Sequence, residues 1–508
     1  MTNIHNNHLS SFSRRDALAL AGAASFVFAS AHLGLSSAFA GYSHRQQALN
    51  IRLPDQLASQ NPIIEGKLPA SLRGTYYKNG PALRQGFSRS YKHWFDGDGF
   101  IQAFRFNGSN MQHHGQFVHT EKYNAENDAG DYFFDTFSHN WVDSAVARSS
   151  DEINVANTNI VHHGDRLMAL WEAGSAWQIN QENLDSIAKV KWHDDLATAP
   201  FSAHPHIDDD GSLWNFGQVP WSQKMILYHI NPDGRLNKYN LLDMPNTSMI
   251  HDFAITKNFL ILLLPPLTWE LDRAKNNASF LNAHQWHEDR PVEILIVDKN
   301  DLSVLRRHHI PTAFHFHIGS AFEADDGTIE LDLCHYKNAD IVFNLHLNKG
   351  EKNLALPPMN PHHNRVTLSP NRNDGKVTRI HNYANEFPRT ASVADSHRSQ
   401  HSWSIGIDTE TGLFRYALGV NLETGKVDQY DYGADCLLEE HIFVADNDRP
   451  TMNGIIPGWL IGLHLDLLDG KTKLAVLDAY DLVAGPQAMV TLPYGLPPGL
   501  HGNFVSAA

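Results

Sequence analysis

Four histidines sit in settings spread over much of the chain: Ala203-His204-Pro205-His206, Ile250-His251-Asp252-Phe253, Phe316-His317-Ile318-Gly319 and Leu500-His501-Gly502-Asn503. Neutral imidazole is the commonest protein metal ligand and suits iron, copper, zinc and nickel alike. Residue type alone does not select these four, because the chain holds 32 histidines and most must be surface or hydrogen-bonded side chains. Two cysteines, Cys334 and Cys436, exclude a disulfide framework and a cysteine-rich metal site. Whatever metal chemistry the chain performs therefore falls to imidazole and carboxylate.

Side chains that far apart in sequence meet only on a closed, rigid scaffold. Beyond about residue 41 the chain reads as strands and tight turns. Thr328-Ile329-Glu330-Leu331-Asp332-Leu333 alternates polar and apolar residues, the mark of a half-buried strand. An apolar residue followed by Asn or Asp and a short turn recurs at Ile179-Asn180, Ile230-Asn231, Val297-Asp298, Leu347-Asn348, Val420-Asn421 and Leu465-Asp466. Asn, Asp and Gly tolerate the backbone angles of hairpin turns, so each cassette marks a strand end. Their spacings of 51, 67, 50, 73 and 45 residues form a loose period, as expected of β-propeller blades carrying insertions. The period is too irregular to count blades.

Further motifs follow one another in a fixed order. They are Arg73-Gly74-Thr75-Tyr76-Tyr77-Lys78-Asn79-Gly80-Pro81, His93-Trp94-Phe95-Asp96-Gly97-Asp98-Gly99, Ala156-Asn157-Thr158-Asn159 and Ala169-Leu170-Trp171-Glu172. Asn385-Glu386-Phe387-Pro388-Arg389, Glu440-His441-Ile442-Phe443-Val444 and Leu492-Pro493 lead on to His501-Gly502. Together with the histidine settings, they resemble the carotenoid cleavage oxygenase family over nearly the whole chain after the N-terminus. One departure is Lys78, where that family's motif carries arginine.

The resemblance implies an all-β fold, a seven-bladed β-propeller with a loop and helical cap over one face. The histidine spacings of 47, 66 and 184 residues agree with ligands drawn from inner strands about one, one and three blades apart. It implies one ferrous ion per chain, Fe(2+), bound by His204, His251, His317 and His501. His206 and His315 compete for the first and third places, but the frame Phe316-His317 through Ala321-Phe322-Glu323 selects His317, and the same comparison selects His204. Ligating imidazoles need a partner for the second ring nitrogen. The resemblance assigns that role to Glu172, Glu386 and Glu440, with Glu439 beside the last. It places Thr158 over the open iron position and Lys122 where stilbene-cleaving relatives grip a phenol.

The implied activity is oxidative cleavage of a conjugated carbon–carbon double bond of a carotenoid or apocarotenoid by dioxygen, giving two carbonyl products. A stilbene-cleaving dioxygenase is the alternative, and a propeller that only binds ligands is a further one. A zinc hydrolase fits poorly, since four imidazoles would close a tetrahedral zinc shell. The partners are accordingly a polyene or aromatic alkene and dioxygen. Peripheral membrane contact stays open: residues 259–267 are apolar, but Glu270, Asp272, Arg273 and Lys275 follow at once. A net charge of −16 without a basic cluster excludes nucleic acid.

Ser13-Arg14-Arg15-Asp16 precedes an apolar stretch over residues 17–35 and then Ala38-Phe39-Ala40. This resembles a twin-arginine export signal with a small-residue cleavage site, a transmembrane anchor being the alternative. The expected organisation is a signal peptide over residues 1–40 and one propeller domain over 41–508, exported to the periplasm. The twin-arginine route carries folded chains, so the metal could be loaded before export.

Overall fold

A computed structural model describes residues 50–345, 360–391, 397–452, 454 and 455–507. The proposed signal and its cleavage site lie outside these residues, as does the Leu347-Asn348 cassette. Nearly every described element is a strand, and the strands pair antiparallel with their chain neighbours into successive small sheets.

The first sheet joins Arg73–Arg84, Asp98–Asn107, Met111–Phe117 and Gln56–Ser59, and the C-terminal strand Gly502–Ser506 pairs with Arg73–Arg84. Three four-stranded sheets follow. They begin at the inner strands Asn159–His163, His206–Ile207 and Ala254–Ile255. A seven-stranded sheet then runs from Phe314–Glu323 to Val427–Asp431. It divides at the long strand Lys376–Thr390, whose first half pairs with His362–Leu368 and whose second half pairs with His401–Ile407. The last sheet starts at Cys436–Ala445 and ends on Ile63–Gly66, near the start of the described chain.

Buried side chains join each sheet to the next and finally the last to the first. Ile101 and Ala103 pack with Ile160 and Leu167, Met168 with Ile226, and Phe216 with Leu262. Leu263 packs with Leu331, Trp403 with Leu477, and Ile461 with Phe104 and Met111. The sheets therefore close on themselves as a β-propeller, and the two chain ends seal the circuit. Closure removes exposed sheet edges and fixes the inner strands around one axis.

Sandwiching each sheet between two others explains why central strands are apolar on both faces. Phe259–Leu264 is the clearest case: Ile261 and Leu263 face one neighbouring sheet, while Leu260, Leu262 and Leu264 face the other. The apolar run at residues 259–267 thus belongs to the core rather than to a membrane-facing patch. The residues after it form the short exposed helix Leu271–Lys275. Among the described residues, no helix is long and apolar enough to cross a membrane.

All five described cassettes mark hairpin turns. In four of them the Asn or Asp side chain accepts backbone N–H groups of the turn, at Asn180, Asp298, Asn421 and Asp466. The alternating segment at 328–333 does form a strand, Ile329–Tyr336, but it is almost wholly buried. Asp332 is tolerated there because it accepts from Ser320 and lies 2.6 Å from His363 Nε2.

Candidate metal centre

His204 and His251 stand just ahead of the inner strands His206–Ile207 and Ala254–Ile255. His317 lies inside Phe314–Glu323, where the pairing register slips between His315 and Ile318. His501 immediately precedes the closing strand Gly502–Ser506. Inner strands converge on the axis, and so do the imidazoles. One nitrogen from each of the four lies within 4.8 Å of the others. His317 Nε2 is 3.2 Å from both His251 Nε2 and His501 Nε2.

The competitors point elsewhere. His206 Nε2 lies 3.0 Å from Asp252 Oδ1, and His315 is buried next to His335 rather than in the cluster.

The opposite ring nitrogens meet carboxylates. His251 Nδ1 lies 2.8 Å from Glu172 Oε1, His317 Nδ1 2.6 Å from Glu386 Oε2, and His501 Nδ1 3.0 Å from Glu440 Oε1. The His317 and His501 contacts suit an Nδ1–H donor, while His251 and Glu172 approach as a close pair without hydrogen-bond geometry; in all three Nε2 is left as the free ligand atom. Among the described residues, none offers His204 such a carboxylate. The buried Nε2 of His204 has no hydrogen-bond partner among the described residues, as expected of an atom meant for a metal.

Electrostatics favour the neutral, ligating state at three of the four imidazoles. Burial holds His204 well below the usual imidazole range and lowers His317 to about 3 and His501 to about 4. At His251 burial also acts downward, but Glu172, with smaller help from Asp252 and Glu386, outweighs it and the net shift is upward. Neutral imidazole is the form that binds metal. Burial raises Glu386 to about 7. Burial acts the same way on Glu440, but Arg389, His501 and Lys78 together hold that carboxyl well below its usual range. A buried, all-imidazole set with an orphaned acceptor fits a soft-to-borderline divalent metal such as ferrous iron.

Local backbone devices aim these groups. Lys376–Thr390 has an irregularity between Glu386 and Arg389, where Phe387 adopts a left-handed φ of 58°. That bulge turns Glu386 toward His317 and stacks the Phe387 ring on the same imidazole at 4.6 Å. Ala156, with φ of 44°, bends the chain ahead of Asn157 and Thr158. The Asn157 amide donates to the carbonyls of Phe95 and Gly97, so the segment around Trp94 holds Thr158 in place. Gly99 permits this approach, because a Cβ there would lie 2.2 Å from the Ala156 carbonyl oxygen. Thr158 donates its hydroxyl to Asn157 and lines the cavity beside the histidines.

That cavity measures about 450 Å³ and is walled by rings such as Phe95, Trp171, Phe280, Phe316, Tyr336 and Phe387. Glu172, Glu386 and three of the histidines, His251, His317 and His501, also face it. Lys122 does not. Its ammonium is buried and donates to Tyr91 Oη, Asp98 Oδ1 and Glu126 Oε2, at 2.5, 2.9 and 2.7 Å. The expectation that Lys122 grips substrate is therefore replaced: two carboxylates draw it into the protein instead.

Sequence reasoning missed the clamp on the His501 segment. Lys78 Nζ donates to the Leu500 carbonyl at 2.9 Å, and Glu439 accepts from the Gly499 N–H at 2.8 Å. Arg389 Nε donates to Glu440 at 2.8 Å. The only signal was that Lys78, Glu439 and Arg389 stand inside or beside recognisable motifs.

Fold and site together define a propeller with a four-histidine metal site opening onto an apolar cavity. Residues 52–506 match the family described as retinal pigment epithelial membrane protein, and the chain belongs to that family. It is 29% identical over 465 residues to the apocarotenoid-15,15'-oxygenase of Synechocystis sp., covering 87% of this chain and 92% of that one. It is 27% identical over 470 residues to carotenoid cleavage oxygenase 1 of Neurospora crassa, covering 88% and 87%. A solved structure of a Synechocystis ACO mutant superposes with a TM-score of 0.80 at 27% identity, covering 91% of this chain and 98% of that one.

Proposed function

We propose that this protein is a non-haem iron(II) dioxygenase that cleaves a conjugated double bond of a carotenoid or apocarotenoid into two carbonyl fragments. The observation that carries this reading is the buried set of four imidazoles, three of them backed by carboxylates, opening onto the aromatic cavity. His204, His251, His317 and His501 would hold the ion, and bound ferrous iron supplies the activation of dioxygen. The protein's own part is positional. The three glutamates fix the imidazoles, Thr158 borders the space beside them, and the aromatic walls exclude water and align an extended apolar chain. No side-chain acid, base or nucleophile is required.

Counting the divided strand Lys376–Thr390 once in each half supports seven blades. The stilbene reading loses support, because Lys122 lies away from the cavity. Export by the twin-arginine route to the periplasm is part of the proposal and rests on Arg14 and Arg15 ahead of an apolar stretch.

Product analysis of iron-loaded protein against carotenoids, apocarotenals and hydroxystilbenes tests the reading. Paired carbonyl fragments from a carotenoid or apocarotenal are expected. Cleavage of stilbenes alone would transfer the assignment to the alternative. No oxygen uptake with any of them would leave a binding module.

A further inference from the structure

A second cavity of about 410 Å³ adjoins the one at the histidines. The two share the walls Pro220, Trp221, Thr247 and Trp269. Their linings differ in kind: the second chamber presents Gln223, Asn246, Glu270, Asp272 and Arg290. An apolar chamber beside a polar one, with four wall residues in common, suits a ligand with the same division of character.

Thr247 marks the boundary. It is 5% exposed and lines both chambers, and its hydroxyl makes no hydrogen bond among the described residues. With no partner among those residues, the hydroxyl is left to bond whatever fills the cavities that Thr247 lines. Its position is fixed. The Thr247 carbonyl accepts from the Trp269 N–H at 2.8 Å, and the Ser248 hydroxyl donates to the Pro265 carbonyl. The Gln218 amide donates to the Ser248 carbonyl at 2.7 Å and accepts from the Ile250 N–H at 3.2 Å. The hydroxyl thus stands on a braced segment, four residues before His251, with its bonding capacity unused.

We propose that the polar chamber is a subsite for a neutral, oxygen-bearing end group, a hydroxyl or carbonyl, of an elongated substrate whose apolar chain lies in the cavity at the histidines. The Thr247 hydroxyl is its hydrogen-bonding partner. A carboxylate end is disfavoured, because Glu270 and Asp272 outnumber Arg290 around the chamber. The inference rests on the oxygenase reading for the apolar half of the substrate and deepens it by naming the other half.

The test is an absorbance titration of the iron-loaded protein, without oxygen, using polyenes of equal length that end in an alcohol, a hydrocarbon or a carboxylate. One hydrogen bond predicts that the alcohol binds roughly five- to tenfold more tightly than the hydrocarbon. Thr247→Val should abolish that preference, whereas Thr247→Ser should retain it. Equal binding of alcohol and hydrocarbon by the unaltered protein overturns the subsite and needs no variant. So does a Thr247→Val variant that weakens both ligands alike, and a carboxylate that binds as well as the alcohol overturns its neutral character. Admitting oxygen to the same complexes reads cleavage separately. A preserved preference without cleavage would refute the oxygenase reading and leave the subsite standing.

Discussion

Glu386 shows how one residue can tie the metal site to the substrate cavity. Its carboxylate lies 2.6 Å from His317 Nδ1 and accepts from the Phe387 N–H at 2.8 Å. Glu386→Gln keeps shape but removes the charge, so iron affinity or turnover should fall roughly 10–100-fold, as read by metal titration and oxygen uptake. His251→Ala should lose bound iron, whereas His315→Ala should keep most of it, measured as iron per chain after desalting. The histidine settings were legible because each lies in a distinctive sequence frame. Lys122 was not, because nothing in His119-Thr120-Glu121-Lys122 reveals that Asp98 and Glu126 will fold over it. Thr247 was invisible for a similar reason: a hydroxyl gains meaning only from the cavities on either side.

At the scale of elements, irregularities in the inner strands do the aiming. Register slips occur at His317, Glu386 and Glu440, and these are the strands that turn ligands or their partners toward the axis. Sequence shows strands through alternation and turn chemistry, but a bulge leaves no comparable trace. The same limit applies to Phe259–Leu264, whose continuous apolar run fits a buried strand or a surface patch equally well until its two neighbouring sheets are known. Helix Glu121–Ala129 depends on a different device. Lys122 and Arg84 pair with Asp98 and Glu126 beneath it, binding the helix to the first sheet. Lys122→Met would leave buried carboxylates short of a cation and should destabilise the protein by about 3–5 kcal/mol in chemical denaturation. Because the residue stands clear of the cavity, KM should not change. A raised KM with unaltered stability would return Lys122 to a substrate role.

For the whole molecule, assembly and destination are linked. The twin-arginine proposal predicts that replacing Arg14 and Arg15 with lysine leaves folded, iron-containing precursor in the cytoplasm, assayed by fractionation and metal analysis. Normal export of that variant would indicate the general secretory route and metal acquisition after translocation. Ring closure adds a further consequence. The strand Gly502–Ser506 pairs with Arg73–Arg84 and begins one residue after His501. The fourth ligand and the strand that seals the ring are therefore one stretch of chain, and neither can be placed without the other. A chain interrupted ahead of His501 would lack both the final imidazole and the closing strand. Occupancy of the metal site would then report that the ring had closed, so an open ring could not pass for a working one.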